Sequence, residues 1–122
     1  MSTKSLSPIL TRFWQLKSDT VKLIAAQPFY RFTSSKLKYP ANTLRAQIEG
    51  KVYARLTVLA SGTVSGVTIT RREIIGEADP LYSVKGIAEL DAEVVRVMKL
   101  VRFEPGSAAS DTITVTSVFQ IQ

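Results

Sequence analysis

The chain of 122 residues contains neither cysteine nor histidine. Those two absences exclude thiol nucleophiles, thiolate or imidazole zinc sites, the Ser-His-Asp triad and any disulfide framework. Proline and glycine are sparse, at five and six residues, too few for a disordered or low-complexity chain. Long apolar runs are missing too. The longest clean run near the N-terminus is Leu23-Ile24-Ala25-Ala26, far short of the roughly 18 residues of a membrane span and shorter than a secretory signal core. No glycine-rich run precedes a Lys-Ser/Thr pair, and no loop has the acid-and-glycine spacing of a calcium site. The carboxylate groups are Glu77/Asp79 and Glu89/Asp91/Glu93. Only Glu89 and Glu93 share a helix face, so both groups read as solvated surface. Arg71-Arg72 with Lys85 reads the same way. The chain is therefore not expected to be an enzyme, and neither a cofactor nor a metal is expected.

What is present is an ordinary globular composition, 45% hydrophobic and 21% charged. A chain of this length buries roughly two-thirds of its unfolded surface, enough for a core without staples. The net charge of +6 is unevenly placed. Residues 1–38 carry Lys4, Arg12, Lys17, Lys22, Arg31, Lys36 and Lys38 against Asp19 alone, while residues 39–122 are neutral. The expected division is a basic amphipathic leader over 1–38 and a balanced body over 39–122. Basicity confined to an appendage argues against nucleic acid as a partner.

In the leader, Leu6, Ile9, Leu10 and Phe13 fall at helical spacing, and Leu16, Val21, Leu23 and Ile24 continue the apolar pattern. An interrupted amphipathic helix is expected over 5–26, opened by Ser7-Pro8 and stopped at Gln27-Pro28. Phe29 to Thr33 alternates and reads as a short strand or extended linker. The helix has three readings: it docks on the body, it pairs with a second copy, or residues 4–38 make weak contact with a membrane surface.

The body is more regular. Residues 40–49 read as a short helix with Ala41, Leu44 and Ile48 on its apolar face and Gly50 as its C-terminal cap. Lys51 to Leu59 alternates, with Val52, Ala54, Leu56 and Val58 on one face, which predicts a half-buried strand. Ala60-Ser61-Gly62 supplies a turn, and Thr63 to Thr70 returns with Val67 and Ile69 inward and a bulge suggested by Gly66. Residues 71–86 read as a loop. Ile87 to Val101 carries Leu90, Val94, Val97, Met98 and Val101 in one helical stripe. Thr112 to Gln122 is β-branched, with Ile113, Val115, Phe119 and Ile121 on one face. The expected fold is α+β: a three-stranded antiparallel sheet packed on one face by a long helix, with a short preceding helix and an N-terminal helical leader.

The last strand contains no proline, lysine or arginine between Thr112 and Ile121. At a sheet edge such a strand has nothing to prevent pairing. It would take up an extended peptide or a second copy of itself. Alternatively it is central, or covered by Phe29–Thr33.

Tyr39-Pro40, Glu49-Gly50-Lys51-Val52, Gly62-Thr63-Val64, the run Met98 to Gly106 and the ending Val118-Phe119-Gln120-Ile121 together resemble the C-terminal domain of TonB energy transducers. The resemblance covers residues 39–122. It implies a periplasmic domain whose last strand, Thr112, Ile113, Thr114, Val115, Thr116, Ser117, Val118 and Phe119, pairs with the TonB-box peptide of an outer-membrane TonB-dependent receptor. Val101 stands where the family usually has an aromatic residue. The family's membrane anchor and Pro-rich spacer are not in these residues, so peptide binding rather than transduction is the expectation for this chain. With no signal peptide or anchor, a cytoplasmic location and a fragment of a longer protein stand beside the periplasmic reading. A homodimer paired through the edge or the leader is the alternative function.

Overall fold

The computed structural model describes residues 8–75 and 80–121; Leu6, Ser7, Glu77 and Asp79 fall outside them. In chain order the elements are β1 (Ile9–Leu10), a 3-10 turn (Phe13–Gln15), α1 (Asp19–Lys36), α2 (Ala41–Arg45), β2 (Glu49–Leu59), β3 (Val64–Ile75), α3 (Pro80–Met98), β4 (Arg102–Phe103) and β5 (Ser110–Phe119). The architecture is α+β, with a three-stranded antiparallel sheet in the order β3-β2-β5.

The period-2 pattern of β2 sets the core. Val52, Ala54, Leu56 and Val58 are fully buried, and α3 lays Leu90, Val94, Val97 and Met98 over them. Each such large side chain contributes about 1.5–3 kcal/mol of transfer free energy. Gly62 turns the β2–β3 hairpin at φ 93°. A Cβ there would collide with the Phe103 carbonyl, so the turn needs glycine on both backbone and steric grounds.

Three segments of the body depart from the sequence reading. First, β3 does not stop at Thr70 but continues to Ile75. Tyr53 faces Arg71 and Lys51 faces Glu73 across the pair, with the Arg71 guanidinium 4.3 Å over the Tyr53 ring. Arg72 reaches Asp91 of α3, Nε to Oδ1 at 2.8 Å. These charges therefore extend a strand instead of marking a loop. Second, α3 begins at Pro80 and runs through Gly86. Gly86 is where α2 crosses: a Cβ would stand 3.1 Å from Thr43 Cα, and Thr43 Oγ1 donates to the Gly86 carbonyl at 2.5 Å. Third, α2 ends at Arg45, and Gln47 takes φ 56°. Gly50 is no helix cap; it lies in β2 at φ 144°, pressed on the Glu73 carbonyl. Leu44 is exposed, while Thr43, Ala46 and Ile48 are buried.

The leader folds differently from its expected form. Ile9–Leu10 pairs in parallel with Arg102–Phe103 as a two-stranded ribbon, and the helix starts only at Asp19, where the Ser18 hydroxyl caps the Val21 N–H at 3.0 Å. The helix passes through Pro28. The carbonyl that Pro28 leaves unbonded belongs to Ile24, on a residue 59% exposed, where water can serve it. Phe29 to Thr33 is helical because a strand would put Phe29 and Tyr30 on opposite faces. Helical phase instead gathers Phe29 onto Phe13 and Phe103, at ring separations of 5.5 and 5.9 Å. Arg12, 2% exposed, ties this segment to the body. It donates to the Glu104 carbonyl at 2.7 Å, the Leu59 carbonyl at 2.8 Å and Asp111 at 3.0 Å. Beyond α1, the Lys38 N–H meets Glu93 at 2.7 Å, and Arg96 meets both the Lys36 carbonyl and Glu93. The Arg96 hydrogen bond and the Lys38 N–H hold the Glu93 carboxyl below its ordinary range. Among the described residues, no helix is long and apolar enough to cross a membrane.

Candidate strand-docking edge

The sheet has two outer strands, and they differ in how they resist pairing. β3 carries register shifts opposite Tyr53/Ala54 and Thr57/Val58, and its end holds Arg71, Arg72 and Glu73. Bulges and charges of this kind blunt an edge. β5 runs against β2 in unbroken register from Gly50↔Phe119 to Leu59↔Ser110. From Thr112 to Phe119 it carries no charge.

Side chains and backbone groups of β5 divide by parity. Ile113, Val115, Ser117 and Phe119 are buried against the core, whereas Thr112, Thr114 and Val118 are exposed and Thr116 is half-buried. The Ile121 N–H points to Glu49 at 2.8 Å, and the Ala109 carbonyl accepts from Ala60 at 3.1 Å. Odd-numbered backbone groups thus face β2. By the alternation of an antiparallel ladder, the N–H and C=O of Thr112, Thr114, Thr116 and Val118 face away from it. Of the eight residues assigned to the edge from sequence, all lie on β5, but only these four present backbone groups outward.

Tyr30 of α1 lies beside one of the four, Thr116. Burial pushes the Tyr30 phenol up in pKa, and the Thr116 N–H offsets part of that by favouring the phenolate. At the start of the strand, Asp111 Oδ2 accepts from Arg12 at 3.0 Å, Trp14 Nε1 at 3.2 Å and Gln15 at 2.8 Å. Three leader residues therefore hold the start of β5, and the sequence reading identified none of these; it offered Phe29–Thr33, which includes Tyr30, as a cover for the strand. The available signal was the cluster of aromatics between Phe13 and Phe32; its helical phase had to be known before Tyr30 could be aimed. At the far end of β5, Tyr39 packs edge-on against Phe119 with ring centroids 5.7 Å apart, and its hydroxyl donates to the Ile48 carbonyl.

Ser117 is the exception in the buried row. Its hydroxyl has no hydrogen-bond partner among the described residues, and burying an unpaired hydroxyl costs about 1–3 kcal/mol. Ser117→Ala is expected to raise the urea unfolding free energy by about 1 kcal/mol. A Ser117→Ala protein no more stable than the parent would show that the hydroxyl finds a partner in solution.

The arrangement offers main-chain donors and acceptors to an extended chain. Among the described residues, no three acidic side chains converge to hold a metal. No protein-family model matches the sequence, and neither does any curated protein. Among solved structures, the chain is similar to two solution NMR structures of the TonB C-terminal domain of Helicobacter pylori. The longer fragment superposes with a TM-score of 0.51 at 17% identity, covering 75% of this chain and 76% of that one. The shorter fragment gives 0.45 at 20% identity, over 75% and 88% of the two chains. The match to the longer fragment shows that the two proteins share a fold.

Proposed function

We propose that this protein captures a short extended peptide of an outer-membrane TonB-dependent receptor by adding it as a strand to β5, in the periplasm and without catalysis. The observation that carries this reading is the contrast between the two sheet edges: β3 is bulged and charged, while β5 is regular and uncharged, with outward backbone groups at Thr112, Thr114 and Val118. The fold shared with a TonB C-terminal domain supports the same choice. On this reading residues 39–122 form the peptide-binding domain, and residues 8–38 are a leader docked on it. Affinity comes from main-chain hydrogen bonds, and specificity comes from the side chains beside the edge.

The test is a titration of isotopically labelled protein with synthetic TonB-box peptides, followed by amide NMR. Binding is expected to shift and protect the Thr112, Thr114 and Val118 amides most. Perturbations confined to β3, or none at all, would reject the reading. A second reading is self-association, supported by the exposure of Val21, Leu23 and Ile24 on α1, at 49%, 70% and 59%. It requires the sedimentation mass to rise with protein concentration, and β5 amides already protected without peptide would favour pairing through the edge.

A further inference from the structure

α1 has two unlike faces. Ala26, Phe29 and Thr33, at i, i+3 and i+7, are buried against the body. Val21, Ile24 and Pro28 repeat that spacing on the far side of the helix. All three are exposed, Val21 at 49% and Ile24 at 59%. Half-buried Phe32 continues the stripe one turn further. Cations flank it: Lys17 stands just before the helix, exposed Arg31 falls seven residues after Ile24, and Lys36 Nζ lies 5.8 Å from the centre of the Phe32 ring. Among the described residues, none of these three cations forms an ion pair. Asp19 is the sole acid of residues 1–38. It lies seven residues before Ala26, in phase with the buried face, and so stands away from the stripe.

An apolar stripe edged by long cationic side chains fits an anionic lipid surface. The apolar residues enter the boundary between headgroups and acyl chains, and the cationic heads turn back to the phosphates. The helix lies flat, since it is not long and apolar enough to cross. Its depth is limited by Pro28, which leaves the Ile24 carbonyl without a helical donor on this same stripe. That carbonyl is hydrated at headgroup level and would be stranded in hydrocarbon. The rest of the chain is neutral over residues 39–122 and adds no net repulsion. A second copy is a poorer occupant of the stripe. Two α1 helices set face to face would gather Lys17, Arg31 and Lys36 from both copies with no acid on either face to answer them.

We propose that α1 is a membrane-surface anchor, whose Val21, Ile24 and Pro28 stripe lies on a bilayer containing anionic phospholipid while Lys17, Arg31 and Lys36 meet the lipid phosphates. The inference goes beyond peptide capture and does not depend on it. The buried face of α1 stays on the body, so the helix need not detach to reach the lipid.

The experiment sediments the full-length protein with sucrose-loaded vesicles, made of phosphatidylcholine alone or of about three parts phosphatidylcholine to one of phosphatidylglycerol. Binding is expected to the mixed vesicles and not to phosphatidylcholine alone. Arg31→Gln is expected to lower the partition coefficient about fivefold, the value of one cation near such a surface. Ile24→Ser is expected to lower it about five- to tenfold, for one aliphatic side chain partly buried in the interface. Both positions are exposed, so the circular dichroism of each variant is expected to match the parent. Because the chain has no cysteine, Ile24→Cys and Thr68→Cys each take a single nitrobenzoxadiazole label; Thr68 is exposed on β3. Mixed vesicles are expected to shift the emission of the first label to the blue and to leave the second unchanged. Absence of co-sedimentation overturns the inference. So does binding in which Ile24→Ser equals the parent, or in which the label at Ile24→Cys stays in water, because either means adsorption by charge alone. A blue shift of that label without vesicles, rising with protein concentration alongside the sedimentation mass, gives the stripe to a second copy and also overturns it. None of these results bears on peptide capture by β5.

Discussion

Thr114→Pro is expected to leave the domain folded and to remove peptide capture, whereas Val115→Pro, one residue along, is expected to unfold much of it. The contrast follows from backbone parity. The Thr114 N–H faces away from β2, so proline there removes no ladder hydrogen bond, and its effect on the preceding Ile113 is to favour the extended conformation that Ile113 already has. The pyrrolidine ring then stands where an incoming strand must lie, and the lost donor removes a central pairing bond. A loss of about a hundredfold in peptide affinity corresponds to roughly 2.7 kcal/mol, a reasonable sum of one hydrogen bond and a steric exclusion. Val115 pairs with Ala54, and its side chain is 1% exposed. Proline there breaks the ladder, strands the Ala54 carbonyl in the core and leaves the valine pocket badly filled, at a cost of about 3 kcal/mol or more. Urea denaturation followed by far-ultraviolet circular dichroism separates the two variants, and peptide titration of the folded one completes the pair. Wild-type binding by a folded Thr114→Pro protein would show that the peptide docks elsewhere.

Arg12→Ala carries the second large expected effect, a loss of about 3–5 kcal/mol, the range for removing one partner of a buried charged network. The guanidinium serves two backbone carbonyls and Asp111 from a position almost fully out of water. Its removal takes the side-chain donor from the Glu104 carbonyl, leaves the Leu59 carbonyl to the Gly62 N–H alone and leaves Asp111 with only Trp14 and Gln15. Arg12→Lys retains the charge but not the fork, since one ammonium cannot reach three acceptors in those directions, and is expected to fall between alanine and the parent. The chain has a single tryptophan, and it lies two residues from Arg12 against Asp111. Its fluorescence therefore reports release of the leader, while circular dichroism reports the sheet. In Arg12→Ala the tryptophan transition is expected to precede the sheet transition. Coincident transitions at parental stability would mean that the leader is held by its aromatic contacts alone.

The parts of this fold legible in the sequence were those whose period is set by a face buried on one side. β2 is such a strand, and the stripe Leu90, Val94, Val97 and Met98 of α3 is such a helix; both lie where their spacing predicts, except that Val101, counted in the same stripe, lies buried beyond the end of α3 at Met98. The ends of elements were harder to read, because the residues that decide them act through partners distant in sequence. Gly86 reads as a helix breaker until Thr43 is placed against it. Gly50 reads as a helix cap until Glu73 is known to lie opposite. Arg71 and Arg72 read as a loop flank until Tyr53 and Asp91 are known to accept them. The leader was the least legible segment. Its apolar spacing fits a helix over Ile9 to Phe13, yet Ile9 and Leu10 have the open backbone of Arg102 and Phe103 to pair with, and that ladder takes them. For the candidate edge, composition was enough to single out Thr112–Phe119 as unguarded. It could not reveal whether the strand was central or outer, nor that Tyr30 lies beside Thr116, because both depend on strand order and on the path of α1.

The tie between Arg12 and Asp111 also has a mechanical meaning. Tension entering the chain at residue 8 first loads β1, whose parallel pairing with β4 sets its bonds in shear. Two residues later the load reaches Arg12, whose side chain is bonded directly to Asp111, the second residue of β5. The route from that end of the molecule to the outer strand is thus a few bonds long and bypasses the helices, so a tug on one is felt by the other before any element between them has to deform.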